Sequence, residues 1–169
     1  EIQPPGTLEG GDFIWIDNNH AAVGLGSRTN LEGINQLKKI LGPNIDLHIV
    51  KLPKPEHPKD VLHLMSIISP IDKDLAVIYK PLMPNLFLNW LVNLGVEFIE
   101  VSENEYPLMG CNVLATEPRS IIMLENLPIL QLDLKNAGCK IRTYRGNEIS
   151  RKGEGGPTCL TRPLTRISL

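Results

Sequence analysis

A chain of 169 residues, with 42% apolar and 21% charged side chains, has the length of one domain and enough hydrophobic material to bury a core. A formal charge of −2, without any Lys/Arg run interleaved with aromatics, excludes a surface built to hold a phosphate backbone, so nucleic acid is not an expected partner. No apolar run reaches the ~20 residues that span a bilayer, and the first residues lack the basic-then-apolar order of a signal peptide, so a cytoplasmic protein with no membrane partner is expected.

The segment from Asp12 to Gly24 reads as strand, polar turn at Asp17-Asn18-Asn19, strand. A helix is predicted from Leu31 to Leu41, with Asn30 as its N-cap and Gly42 just past its end, followed by a β-prone run from Leu47 to Leu52. Lys51 to Lys59, rich in proline and charge, reads as a stiff polar loop. The order then recurs. Leu62 to Ile78 is strand, turn at Pro70 to Asp74, strand; Asn85 to Leu94 is a helix stopped by Gly95; Val96 to Val101 is a strand. It recurs again with Cys111 to Met123 around a turn at Glu117-Pro118-Arg119, a helix from Leu127 to Ala137 stopped by Gly138, and a strand from Lys140 to Tyr144. A fourth round opens with a strand at Cys159 to Thr161, a turn at Arg162-Pro163 and a strand from Thr165 to Leu169.

The repeated unit is ββαβ, about 45–50 residues long. Units of that size, each with a sheet face to cover, are expected to stack around a common core as one α/β domain over 1–169. Equivalent points in stacked units converge, and the place at or just before each unit's first strand holds Glu9, His63, Cys111-Asn112 and Cys159. Core positions would carry Val, Ile or Leu there. A thiol, an imidazole and a carboxylate supply what nucleophilic catalysis by cysteine requires: a sulfur that attacks, a group that moves protons and a group that orients it. Glycines crowd two of these positions, in Glu9-Gly10-Gly11-Asp12 and Gly153-Glu154-Gly155-Gly156-Pro157-Thr158-Cys159, where backbone can approach a ligand and its N–H groups can bind developing charge. The cysteines, Cys111, Cys139 and Cys159, are odd in number and have no metal-type spacing, so neither a disulfide framework nor a metal site is implied; no cofactor is expected, and Cys139 reads as packing. His20, His48 and His57 are scattered and read as surface or edge residues.

Four motifs in order, Leu8-Glu9-Gly10-Gly11-Asp12, Gly26-Ser27-Arg28-Thr29-Asn30, His63-Leu64 and Gly155-Gly156-Pro157-Thr158-Cys159-Leu160-Thr161, resemble those of the guanidino-group modifying enzymes, which include arginine deiminase, dimethylarginine dimethylaminohydrolase and glycine amidinotransferase. The resemblance implies a pentein fold, a propeller of ββαβ units with the active site in its central channel, here incomplete at about three units and the start of a fourth. It implies Cys159 as nucleophile toward a guanidinium carbon, His63 as general acid and base, and Glu9 as the carboxylate that pairs with the histidine or with the guanidinium. Arg28 would bind the carboxylate of a small guanidino substrate, with Asp12, Asn112, Gly155 and Gly156 also facing it. Hydrolysis would release citrulline with ammonia or an alkylamine; amidino transfer, or a non-catalytic binding module, is the alternative.

Two departures stand out. Deiminases carry a guanidinium-gripping aspartate two residues after the histidine, where this sequence has Met65, and an arginine before the cysteine motif, where Glu154 lies. Family members also have about two further units before the Glu-Gly-Gly-Asp motif. The chain is therefore read as a fragment lacking N-terminal units, and a homo-oligomer or a missing segment is expected to complete the propeller.

Overall fold

The computed structural model describes residues 1–54 and 62–163. Three three-stranded sheets follow one another along the chain, each with its second strand in the centre. The first holds β1 (Phe13–Trp15), β2 (His20–Leu25) and β3 (Asp46–Lys51), with α1 (Leu31–Leu41) crossing between β2 and β3. The second holds β4 (Ile68–Asp72), β5 (Leu75–Ile78) and β6 (Glu97–Glu100), with α2 (Asn85–Asn93) as the crossover. The third holds β7 (Leu114–Glu117), β8 (Ser120–Leu124) and β9 (Lys140–Tyr144), with α3 (Pro128–Asn136). In every sheet the first pair is antiparallel and the second parallel. This is the ββαβ repeat of the pentein fold, and the three sheets do not close into a ring among the described residues.

The helix stops are glycines for a steric reason. Gly42, Gly95 and Gly138 have φ of 82°, 80° and 80°, a conformation that costs an L side chain roughly 1–2 kcal/mol. At the other end of α1, the Asn30 side chain accepts a hydrogen bond from the Gly33 N–H at 2.8 Å, satisfying one of the donors that a helix start leaves unpaired.

The core lies between units. On β5, Ala76 and Ile78 pack with Ile14, Ala22 and Phe87 toward the first unit. Their neighbours Leu75 and Val77 pack with Val113, Ile121 and Leu134 toward the third. Alternate side chains of a strand point to opposite faces, so the unbroken apolar run Leu75-Ala76-Val77-Ile78 marks a strand covered on both sides, and all four residues are buried. Each fully buried aliphatic or aromatic side chain contributes roughly 1.5–3 kcal/mol, and these contributions sit in the seams. A single unit therefore lacks the contacts that would hold it folded alone.

One expectation is corrected. Residues 157–160 form a turn, not the first strand of a fourth unit, because the Cys159 and Leu160 N–H groups both donate to the Gly156 carbonyl, at 3.1 and 3.2 Å. The strand read at 165–169, and most of the loop read at 51–59 with His57, lie outside the described residues. Asn147–Arg151 forms a π-helical turn that the sequence reading left unassigned. Among the described residues no helix is long and apolar enough to cross a membrane.

Candidate active site

Each unit opens with a tight turn. The Asp12 N–H donates to the Glu9 carbonyl at 3.0 Å, Ser66 N–H to His63 at 2.9 Å, Asn112 N–H to Met109 at 2.9 Å and Cys159 N–H to Gly156 at 3.1 Å. Glu9 and His63 thus stand immediately before equivalent 3₁₀ turns, Gly10–Asp12 and Leu64–Ser66, ahead of β1 and β4. The glycine at position 11 permits their approach, since a methyl group there would come within 2.8 Å of the His63 ring.

His63 and Glu9, 54 residues apart, meet with Nε2 2.6 Å from Oε2. A carboxylate only accepts, so Nε2 carries the proton of this bond, and Nδ1 is the nitrogen left to gain or lose one. Arg28 lies on the other side of Glu9, donating from Nη1 to Oε1 at 3.0 Å and Oε2 at 3.2 Å. The hydrogen bond from His63, with Arg28 adding a second bond and its charge, holds the Glu9 carboxyl below its ordinary 4.5 against the opposing effect of burial. A depressed carboxylate pKa gives stability that is complete above 4.5 and lost as pH falls through the folded-state value. The melting-temperature gap between wild type and Glu9→Gln is therefore expected to shrink as pH falls below 4.5; a gap unchanged down to about pH 3 would contradict the assignment.

Asp12 does not face the cavity. It is 1% exposed, and its Oδ2 accepts from the Thr29 hydroxyl at 2.7 Å while Oδ1 accepts from the Leu64 N–H at 3.1 Å. The carboxylate joins the turn of the first unit to the turn of the second, because a buried charge must find donors and these are the ones within reach. The Glu9 N–H in turn donates to Thr29 Oγ1 at 3.1 Å, and Asn30 and Thr7 pair at 3.0 and 3.1 Å. The run Arg28-Thr29-Asn30 is a clamp on residues 7–12. The sequence reading assigned Arg28 to substrate and gave no site role to Thr29; the structure commits both to Glu9 and its neighbours.

Cys159 is exposed. Asn112, 9% exposed, donates from Nδ2 to the Cys159 sulfur at 3.0 Å, and its Oδ1 accepts from the Thr158 N–H at 2.9 Å and the Thr158 hydroxyl at 2.7 Å. One buried amide thereby fixes both the cysteine turn and the direction of its sulfur. Gly156 is needed for this contact, since a methyl group there would overlap the Asn112 side chain at 2.4 Å. Gly155 spends its N–H on the Ser150 carbonyl at 3.1 Å. Asn112 and the two glycines thus build the cysteine loop, a role distinct from the substrate contacts expected of them. The other thiols are set apart, as burial pushes both Cys111 and Cys139 up from the usual thiol value.

Gly10 and Thr158, next to Glu9 and Cys159, and Met65, two residues after His63, line one cavity of about 330 Å³, together with Ile68 of β4, Leu114 of β7 and Arg162. That volume suits a small molecule. Among the described residues no group of three or more His, Cys, Asp or Glu side chains is placed to hold a metal.

The family model described as arginine deiminase matches residues 1–96 and 85–166. The chain belongs to the arginine deiminase family. It is 33% identical over 160 residues to the protein YkgA of Bacillus subtilis, covering 95% of this chain and 53% of that one. It is 26% identical to the arginine deiminase of Metamycoplasma hominis, covering 94% and 47%. The chain thus spans about half the length of the curated relatives it matches. Among solved structures, dimethylarginine dimethylaminohydrolase from Pseudomonas aeruginosa, complexed with citrulline, superposes with a TM-score of 0.76 at 24% identity over 94% of this chain and 56% of that one. An adduct of a dimethylarginine dimethylaminohydrolase with 4-chloro-2-hydroxymethylpyridine gives 0.72 at 26% identity, covering 94% and 58%. These likenesses place the family within the guanidino-group modifying pentein superfamily.

Proposed function

We propose that this chain carries the nucleophile, acid–base and orienting groups of a cysteine-dependent hydrolase acting at the guanidinium carbon of arginine or an N-substituted arginine. The observation that carries the reading is the Glu9–His63 pair at 2.6 Å, beside a cavity that Gly10, Met65 and Thr158 of the three turns line. The arginine deiminases among the relatives, and the dimethylarginine dimethylaminohydrolase that holds citrulline, support the substrate class.

In this reading the Cys159 sulfur attacks the planar guanidinium carbon. The tetrahedral adduct collapses as His63 delivers a proton to the departing nitrogen, releasing ammonia or an alkylamine and leaving an amidino group on sulfur. His63 then takes a proton from water, which attacks the same carbon; the carbon–sulfur bond breaks, giving citrulline and the free thiol. Glu9 keeps the imidazole oriented and stabilises its protonated form, while Asn112 aims the sulfur. The open arrangement of three sheets is completed in the active assembly by further units, from another copy or from a segment outside this chain.

The test is alkylation by chloroacetamidine, an amidinium that loses chloride to a nearby thiolate. Cys159 is expected to be labelled at least about tenfold faster than free cysteine, with mass spectrometry locating the adduct and sedimentation reporting the oligomeric state of the same sample. Labelling no faster than free thiol, or spread over all three cysteines, would sink the reading. Turnover of arginine to citrulline identifies hydrolysis; a new guanidino compound formed only with an added amine identifies amidino transfer.

A further inference from the structure

Ser69 lies in β4 on the face that points away from the first unit. Ile68 before it packs toward that unit, whereas Ile71, two places on, packs with Val113 in the seam to the third. Its neighbour across the ladder is Val77, fully buried. A hydroxyl at 2% exposure in such a seam costs stability unless it finds partners. It finds two: Ser69 Oγ donates to the Cys111 carbonyl at 2.5 Å and accepts from the Val113 N–H at 3.3 Å.

Those two backbone groups belong to the peptide planes on either side of Asn112. A peptide plane is rigid, so the planes flanking a residue set its φ and ψ and hence the direction in which its side chain leaves the backbone. The first plane is held a second time, because the Asn112 N–H donates to the Met109 carbonyl at 2.9 Å. From the side chain so aimed, Nδ2 reaches the Cys159 sulfur and Oδ1 takes both the N–H and the hydroxyl of Thr158. The contacts thus run from a strand of the second unit, through the opening turn of the third, to the thiol. Although Ser69 borders the cavity, its one proton is committed to Cys111, and it has none to offer a ligand there.

We propose that Ser69 is a positioning residue: by pinning the backbone on both sides of Asn112, it fixes the direction in which Asn112 holds the Cys159 sulfur. The consequence for chemistry rests on the reading of Cys159 as nucleophile; the coupling from Ser69 to the cysteine turn does not.

Hydrogen exchange followed by NMR tests the coupling on Ser69→Ala and on Ser69→Thr, which keeps the hydroxyl. In Ser69→Ala the Val113 N–H loses its acceptor, and its exchange is expected to quicken at least about tenfold relative to the amides of β5, which report global opening. The Thr158 N–H, which Ser69 does not bond, is expected to quicken by about fivefold or more, and Ser69→Thr to restore both. Thr158 as protected as in wild type while Val113 exchanges freely overturns the proposal, since Ser69 would then hold its own loop and nothing beyond it. If alanine loosens β5 to the same extent, the comparison passes to Ser69→Cys, which keeps the shape but donates weakly, and the same two outcomes decide. The chemistry is read as the ratio of chloroacetamidine to iodoacetamide labelling at Cys159, which separates a misdirected sulfur from a merely more exposed one. That ratio is expected to fall roughly threefold to tenfold in Ser69→Ala and to return in Ser69→Thr. Rapid amidine labelling that Ser69→Ala leaves unchanged sinks this assignment alone. Labelling of the unmodified protein no faster than free thiol sinks the nucleophile reading, and the exchange rates then still decide whether Ser69 holds Asn112.

Discussion

With His63 replaced by alanine, chloroacetamidine labelling of Cys159 is expected to slow by about tenfold, to the rate of free thiol, and citrulline formation by about a hundredfold. In the proposed reaction the imidazole is the proton carrier, and its Nε2 is committed to Glu9 at 2.6 Å. Removing it takes away the group that, in that reaction, protonates the leaving nitrogen. Alanine also opens a void beside Gly11, whose Cα faces the ring, so loss of activity alone would not separate chemistry from packing. His63→Gln makes the separation. Its amide N–H can still donate to Glu9 and its size roughly fills the space, but it cannot accept and return a proton near neutral pH. Both variants are expected to be equally impaired; a His63→Gln protein that labels at the wild-type rate would remove His63 from the reaction and leave it as a spacer.

Much of the architecture is legible without coordinates, because its signals are local. The α1 start is written in Asn30, whose side chain does cap Gly33, and the three stops are written in glycines that take positive φ. The buried β5 is written in its unbroken apolar run. The convergence of Glu9 and His63 follows from the repeat, since the same place in neighbouring units ends up side by side. What the reading misses is short or long-range. The unit-opening turns have no periodicity at three residues, and they displace the predicted first strands by several positions: β4 begins at Ile68, not near Leu62, and β7 at Leu114, not Cys111. The inward turn of Asp12 depends on Leu64, 52 residues away, and Asn112 finds Thr158 and Cys159 across 46 and 47 residues. Nothing in the neighbourhood of Asp12 or Arg28 states which partner wins. The presence of a threonine next to Arg28 was the available hint, since a hydroxyl can satisfy a buried carboxylate and a backbone N–H together.

A second large effect is expected far from the chemistry, at Gly33 in the first turn of α1. Replacing a helical glycine by alanine ordinarily stabilises a helix by about 1 kcal/mol. Here the added methyl would lie 2.1 Å from the Thr7 carbonyl oxygen, 2.7 Å from its carbon and 3.0 Å from the Thr7 nitrogen. These are backbone atoms, and they cannot swing aside. Residues 3–7 are tied along α1 by Gln3 and Gln36, which exchange two hydrogen bonds at 2.8 and 2.9 Å, and by Asn30, which holds Thr7 from both sides. Relieving the overlap means lifting this strap, breaking those bonds and displacing Glu9 two residues further on. Overpacking outweighs propensity, so Gly33→Ala is expected to cost about 3 kcal/mol net, read as a lowered urea midpoint at unchanged slope. Because Glu9 orients His63, the rate of Cys159 labelling should fall in the same variant even at temperatures where it remains folded. A Gly33→Ala protein as stable as wild type would show that the strap does not sit on α1, and with it would go the account of how Glu9 is held against His63.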